Sequence, residues 1–193
     1  MPTVNHTGVS RKIDSDADVV GFLKGQHEQI KSLFEQVIAS AGSDREHALV
    51  QLRRLLAVHE TAEEEIVHPR AKREIANGDA IVGARLKEEH KAKEMLAELE
   101  KLDVGSPEFE KNIRSLQADV LAHAEAEEQK EFARLDSELD DEQLQRMRKA
   151  VEFAEKTAPT RPHPGVESAA ANVLVGPFAM MMDRAKDAIS GKG

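Results

Sequence analysis

The chain has 193 residues, 33% of them charged, with 27 Lys and Arg against 36 Asp and Glu and a net charge of −9. That balance, with no basic stripe to relieve it, argues against a nucleic-acid binder. Cysteine, tryptophan and tyrosine are absent, which excludes disulfides, thiolate catalysis, sulfur-ligated metals and phenolate ligands.

The N-terminus, MPTVNHTGVSRKIDSD, has no apolar stretch of the secretory kind. No run anywhere approaches bilayer-spanning length, so a cytoplasmic, non-membrane protein is expected. Residues 1–14 read as an arm. SDAD at 15–18 then supplies an N-terminal box, with Ser15 and Asp18 capping free amides, and opens a helix to about Ala39. A second box, SDRE at 43–46, opens a long helix that is regular to His68, bends or restarts at Pro69, and stops at the NG of 77–78.

A third helix is expected from about Asp79 to Leu102. Behind a Ser106 cap, Pro107 begins a fourth that continues to about Leu139. DDEQ at 140–143 caps a short fifth helix to about Lys156. No strand signal interrupts this series. Four long helices with short connections predict an all-α, up-down-up-down antiparallel four-helix bundle over residues 15–156. Residues 157–193 form a separate region, a Pro-rich linker followed by an apolar helix with Met180, Met181 and Met182. That tail suits packing on the bundle, a homodimer contact, or a reversible contact with a membrane or partner.

The second helix poses a physical problem. Leu52, Leu55, Leu56, His59, Glu63 and Ile66 share one face, and a buried carboxylate costs several kcal/mol, roughly, unless it is paired. The same His-x-x-x-Glu step recurs as His123 and Glu127 behind Ile113, Leu116 and Val120. A single histidine precedes each pair: His27 in the stripe Leu23, Ile30, Phe34, Val37, and His90 one turn beyond Leu86. His27 and His90 are 63 residues apart, and His59 and His123 are 64 apart, so a helical hairpin is repeated together with its chemistry.

Four imidazoles and two carboxylates thus enter one bundle core. Imidazoles suit iron, zinc, copper and nickel, while carboxylates bridge cations and offset their charge. Six donors in two matched halves fit a dinuclear centre better than a closed four-ligand zinc site. Iron is the expected metal; manganese and zinc suit the same spacing.

The pattern His27, His59-x-x-x-Glu63, His90, His123-x-x-x-Glu127 resembles a hemerythrin-like (HHE cation-binding) domain over roughly residues 15–139. The resemblance implies two non-haem irons with an oxo or hydroxo bridge, and Glu63 and Glu127 as bridging carboxylates. The tail resembles that of actinobacterial members. The invertebrate oxygen carriers have a fifth histidine where this chain has Glu94, one turn after His90. Glu94, Glu60 and His68 are therefore further candidate ligands, with solvated or pocket-lining roles as the alternatives. Fewer imidazoles and more carboxylates favour oxidation over reversible oxygen carriage. The expected activity is a catalase-like reaction with hydrogen peroxide or dioxygen; the alternative is a non-enzymatic sensor or binder of O2, NO or iron.

Overall fold

The helices that follow a turn begin at a capping side chain or a special backbone angle. The structure, a computed structural model, describes residues 18–157. Helix α1 (Val19–Ala39) is capped by Asp18, whose Oδ1 accepts from the Gly21 amide at 2.9 Å. Ser15, the N-terminal arm, and the linker and apolar helix expected after residue 157 lie outside the described residues.

Helix α2 (Gly42–Ala62) starts one residue before the SDRE box, and its N-cap, Ala41, makes no side-chain capping bond. Gly42 instead turns the chain with φ of +57°, a left-handed angle that glycine adopts freely. Arg45 fastens this corner by donating to the carbonyls of Ser40, Val104 and Ile38 at 2.7, 2.9 and 3.3 Å. The expected regular helix to His68 is interrupted. A π-helical segment, Glu63–Val67, follows Ala62, and α3 (His68–Glu74) continues beyond it.

Helix α3 ends at an extended Ile75, and Asn77, at φ 63° in the left-handed region, turns the chain into α4 (Gly78–Leu99). Helix α5 (Pro107–Glu127) begins behind Ser106, whose Oγ accepts from the Phe109 amide at 3.1 Å, with Pro107 in the first turn. It too gives way to a π-helical segment, Glu128–Phe132, before α6 (Ala133–Glu138). Asp140 and Gln143 cap each other reciprocally at 2.8 and 2.9 Å ahead of α7 (Asp141–Thr157).

Helix α1 packs on α2 and α5, α5 packs on α4, and α3 closes the ring against α4. The result is the four-helix bundle expected, with α7 laid across α1 and α2. Its interior holds two separate apolar clusters. One gathers Ile30, Phe34, Leu52, Leu96, Phe109, Ile113 and Leu116. The other gathers Val19, Leu23, Val67, Val82, Phe132 and Leu135 with Leu144 and Val151 of α7. Between them lies a buried polar layer. Among the described residues, no helix is long and apolar enough to cross a membrane.

The α3–α4 corner is tight because Gly78 has no side chain. A Cβ there would lie 2.4 Å from the Ala71 carbonyl oxygen and 2.8 Å from Lys72 Cα. Gly78→Ala should therefore destabilise the fold by about 1–3 kcal/mol through overpacking, measured as a lower denaturation midpoint at unchanged denaturant slope.

Candidate metal centre

The polar layer is built from residues that four helices and two π-helical segments aim inward. His27 comes from α1, His59 from α2, and His123 and Glu127 from α5. Glu63 opens the first π-helical segment. All of these are buried except His123, which is 12% exposed. His59 Nε2 lies 3.3 Å from Glu63 Oε1, and His123 Nε2 lies 3.3 Å from Glu127 Oε2. His27 Nε2 stands 3.5 Å from the same Glu127 oxygen. Donors sharing one ion through bonds of ~2.1 Å would lie roughly 3.0–3.4 Å apart, so the spacing is close to that of a common cation.

Each of these imidazoles is oriented from behind by a bond at Nδ1. His27 pairs with Glu128 at 2.8 Å, His59 with Gln26 at 2.7 Å, and His123 with Glu88 at 2.9 Å. A carboxylate only accepts, so Nδ1–H of His27 and of His123 donates and Nε2 is the nitrogen turned to the centre.

His90 is not brought to this layer. Its side chain is 43% exposed, and Nε2 lies 3.3 Å from the outward Glu94. Glu89 takes the inward position, 1% exposed. The reason is a register shift of one residue: α4 turns Val82, Arg85, Glu89, Lys93 and Leu96 toward the interior, and charged residues occupy the middle of that stripe. In this structure Glu89 thus stands in the layer where His90 is expected. Glu94 remains outside.

The two π-helical segments bring in donors that α-helical spacing hides. The His68 amide bonds to the Glu63 carbonyl, five residues back, so the fifth residue after the glutamate returns to its face. His68, 2% exposed, then bonds Glu131 through Nδ1 at 2.9 Å and Glu89 through Nε2 at 2.7 Å. In the second half the equivalent turn presents Phe132, which stacks on His27 with 5.6 Å between centroids and 9° between planes. Pro69 is not required for the distortion, because its counterpart in the second half is Ala133.

Among the described residues the donors form three groups: His27, His59, Glu63 and Glu127; Glu89, His123 and Glu127; and His68, Glu127 and Glu131. Within each, one donor atom per residue lies within 4.8 Å of the others. His27 Nε2, His123 Nε2, both oxygens of Glu63 and of Glu127, and one oxygen each of Glu89 and Glu131 are buried without a hydrogen-bond partner. Orphaned acceptors converging from every side of a core are costly alone and suit a cation. The residues present fit metal ions.

Proton positions report the same demand. Burial, reinforced by the Glu127 charge, pushes the Glu63 carboxyl well above the usual range. Burial opposes charge on His123 and His68, but the facing carboxylates, Glu127 and Glu89 foremost, outweigh it and hold both imidazoles well above their ordinary value. Glu127 is drawn well below its own against the effect of burial, chiefly by His123. Burial and the nearby His27 keep His59 neutral. Protons stand where cations would.

Beside the donors, Lys93 Nζ contacts Glu64 and lies 4.0 Å from Glu60 Oε2. Burial raises Glu60 to about 8 against the pull of Lys93. A cavity of about 220 Å³ opens onto His27, His59, Glu60, Glu89 and His123 between walls that include Ile30, Leu56 and Val120. Glu60 thus lines the approach and belongs to none of the donor groups.

Residues 18–135 match the hemerythrin HHE cation binding domain family. The chain belongs to this family. The fold of this HHE domain is also that of a crystal structure of a hemerythrin HHE cation binding domain-containing protein from Mycobacterium kansasii, with a TM-score of 0.64 and 18% identity over 72% of this chain and 85% of that one. A curated DNA nickase from Nostoc sp. (strain PCC 7120) is 26% identical over 139 residues, covering 72% of this chain. The chain spans only 38% of that relative's length.

Glu89→Ala should remove bound metal from this HHE domain while His90→Ala keeps it, both read as metal ions per chain by elemental analysis. The metal-free domain should also lose thermal stability as pH rises. Glu60 has a folded value above its ordinary 4.5, so its contribution is complete below about 4.5 and lost by about 8. The raised values of His68 and His123 act in the same direction at higher pH. From pH 6.5, above which the lowered value of His59 no longer opposes the trend, to about 8, melting temperature should fall by several degrees without metal and much less with it.

Proposed function

We propose that the protein is a non-haem di-iron protein that reacts with hydrogen peroxide or dioxygen, its simplest activity being catalase-like: two hydrogen peroxide molecules give one dioxygen and two waters. The observation that carries this reading is the cavity, because it reaches donors of both halves of the chain and is sized for a small molecule. We assign His27, His59, Glu63, Glu89, His123 and Glu127 as ligands, with His68 and Glu131 completing the shell on the α3–α6 side.

Bound iron would supply the two-electron redox couple that the side chains lack. The chain's own residues do the rest. Glu127 is common to all three donor groups, as a bridging carboxylate would be, and Glu63 shares the first of them with it. Glu128, Gln26 and Glu88 keep the Nε2 lone pairs of His27, His59 and His123 pointed at the centre. Ile30, Leu56, Ala92 and Val120 restrict the approach to small substrates.

Glu60 holds a proton near neutral pH and has an Oε2 without a hydrogen-bond partner at the cavity wall. It is placed to give that proton to a departing peroxide oxygen and to recover one from the next substrate. Lys93, between Glu60 and Glu64, steadies the carboxylate that this transfer leaves. A donor set this rich in carboxylates favours the ferric state, which suits oxidation better than reversible carriage. The net charge of −9 opposes a polyanionic substrate, so nicking of DNA is not carried over from the longer relative.

The deciding experiment measures oxygen release from peroxide by iron-loaded protein, with iron counted in the same sample. Sustained release with two irons per chain is expected, and Glu60→Gln should slow it by about 10²-fold or more while keeping the iron. Two irons with no turnover would overturn the catalase reading in favour of a sensor or binder of O2 or NO.

A further inference from the structure

His59 differs from the other two imidazoles in what stands behind it. The Nδ1 partners of His27 and His123 are carboxylates, which can only accept. The partner of His59 is the amide of Gln26, and an amide has a donating and an accepting end. Turned one way, it selects the imidazole with hydrogen on Nδ1 and a free lone pair on Nε2. Turned the other way, it selects the opposite tautomer, with Nε2 blocked by its hydrogen. Something outside the pair must decide.

That group is on α7. Gln26 Nε2 donates to Glu155 Oε1 at 2.6 Å. With its NH2 committed to the carboxylate, Gln26 turns Oε1 to His59 Nδ1 at 2.7 Å, leaving Nε2 directed toward Glu63 at 3.3 Å. We propose that Glu155 is a positioning residue that sets the metal-binding tautomer of His59 through Gln26. The inference rests on the metal-centre reading above and extends it to a helix that carries none of the donors. Gln26 is buried at 5% exposure, so water competes poorly for its amide. Glu155 sits half-buried beside an open groove lined by Phe22, Val58, Glu152 and Lys156, which leaves room for a longer side chain.

The test uses the full chain loaded with zinc, which is diamagnetic and takes nitrogen and oxygen ligands. Glu155→Lys offers only donors, so Gln26 must turn its oxygen outward and its NH2 toward His59. Affinity for one of the two cations should fall about 10- to 100-fold, and ¹⁵N shifts of metal-free His59 should move from the Nδ1–H to the Nε2–H tautomer. Gln26→Leu should weaken binding comparably, and adding Glu155→Lys to it should cost nothing further. An unchanged tautomer and affinity in Glu155→Lys would overturn the proposal. So would an equal loss in the Gln26→Leu background, which would mark a charge acting at a distance. If the wild type took up no zinc, the metal-centre reading would fall, while the tautomer of the metal-free chain would still judge the relay.

Discussion

Every part of this fold is arranged around a layer of charge that the hydrophobic effect would otherwise forbid. Glu60, Glu63, Glu64, Glu89, Glu127 and Glu131 are all buried in the middle of the bundle. Lys93 is the ammonium set among them, and protons on His68 and His123 offset only part of the remainder. Carboxylates removed from water are tolerated when each finds a counter-charge and its lone pairs are filled. Here the lone pairs of Glu63 and Glu127 converge on one another, an arrangement that makes sense with cations between them.

The two hairpins are matched in length but not in chemistry. The first brings His27, His59, Glu63 and His68; the second brings Glu89, His123, Glu127 and Glu131. One side of the centre is therefore rich in imidazole and the other in carboxylate. At the same point in the two π-helical segments the first half has a polar donor, His68, and the second an apolar plate, Phe132, stacked on His27. Two ions held there would differ in charge environment and hence in reduction potential, so electrons would enter and leave one of them first.

How much of this was legible in the sequence depended on whether a residue's neighbours advertised its face. His27, His59 and His123 sit within clear apolar stripes, and the helix starts at Asp18, Ser106 and Asp140 follow from capping chemistry that acts over a few residues. The third helix carries no such signal, because Arg85, Glu89 and Lys93 occupy the inward stripe themselves, and period alone then favours Leu86 and His90. The sequence offered His68 only as a further candidate and hid Glu131 altogether, for a different reason. A π turn changes the angular step after the glutamate, and nothing in EEEIV or EQKEF announces it. Gln26, Lys93 and Glu155 act through partners more than 28 residues away in the chain, and no local pattern records such pairs.

The polar layer also divides the interior. The apolar cluster around Phe34, Leu52 and Phe109 and the one around Phe132, Leu135 and Val151 do not merge, so neither end of the bundle draws its stability directly from the other. Helices that run through both are continuous backbone, but the side-chain packing is interrupted in the same plane in each. Without an ion, the helix backbones and the polar layer alone join the two ends. Ions clamped by both hairpins would add a direct tie between them, across the plane where the apolar packing stops.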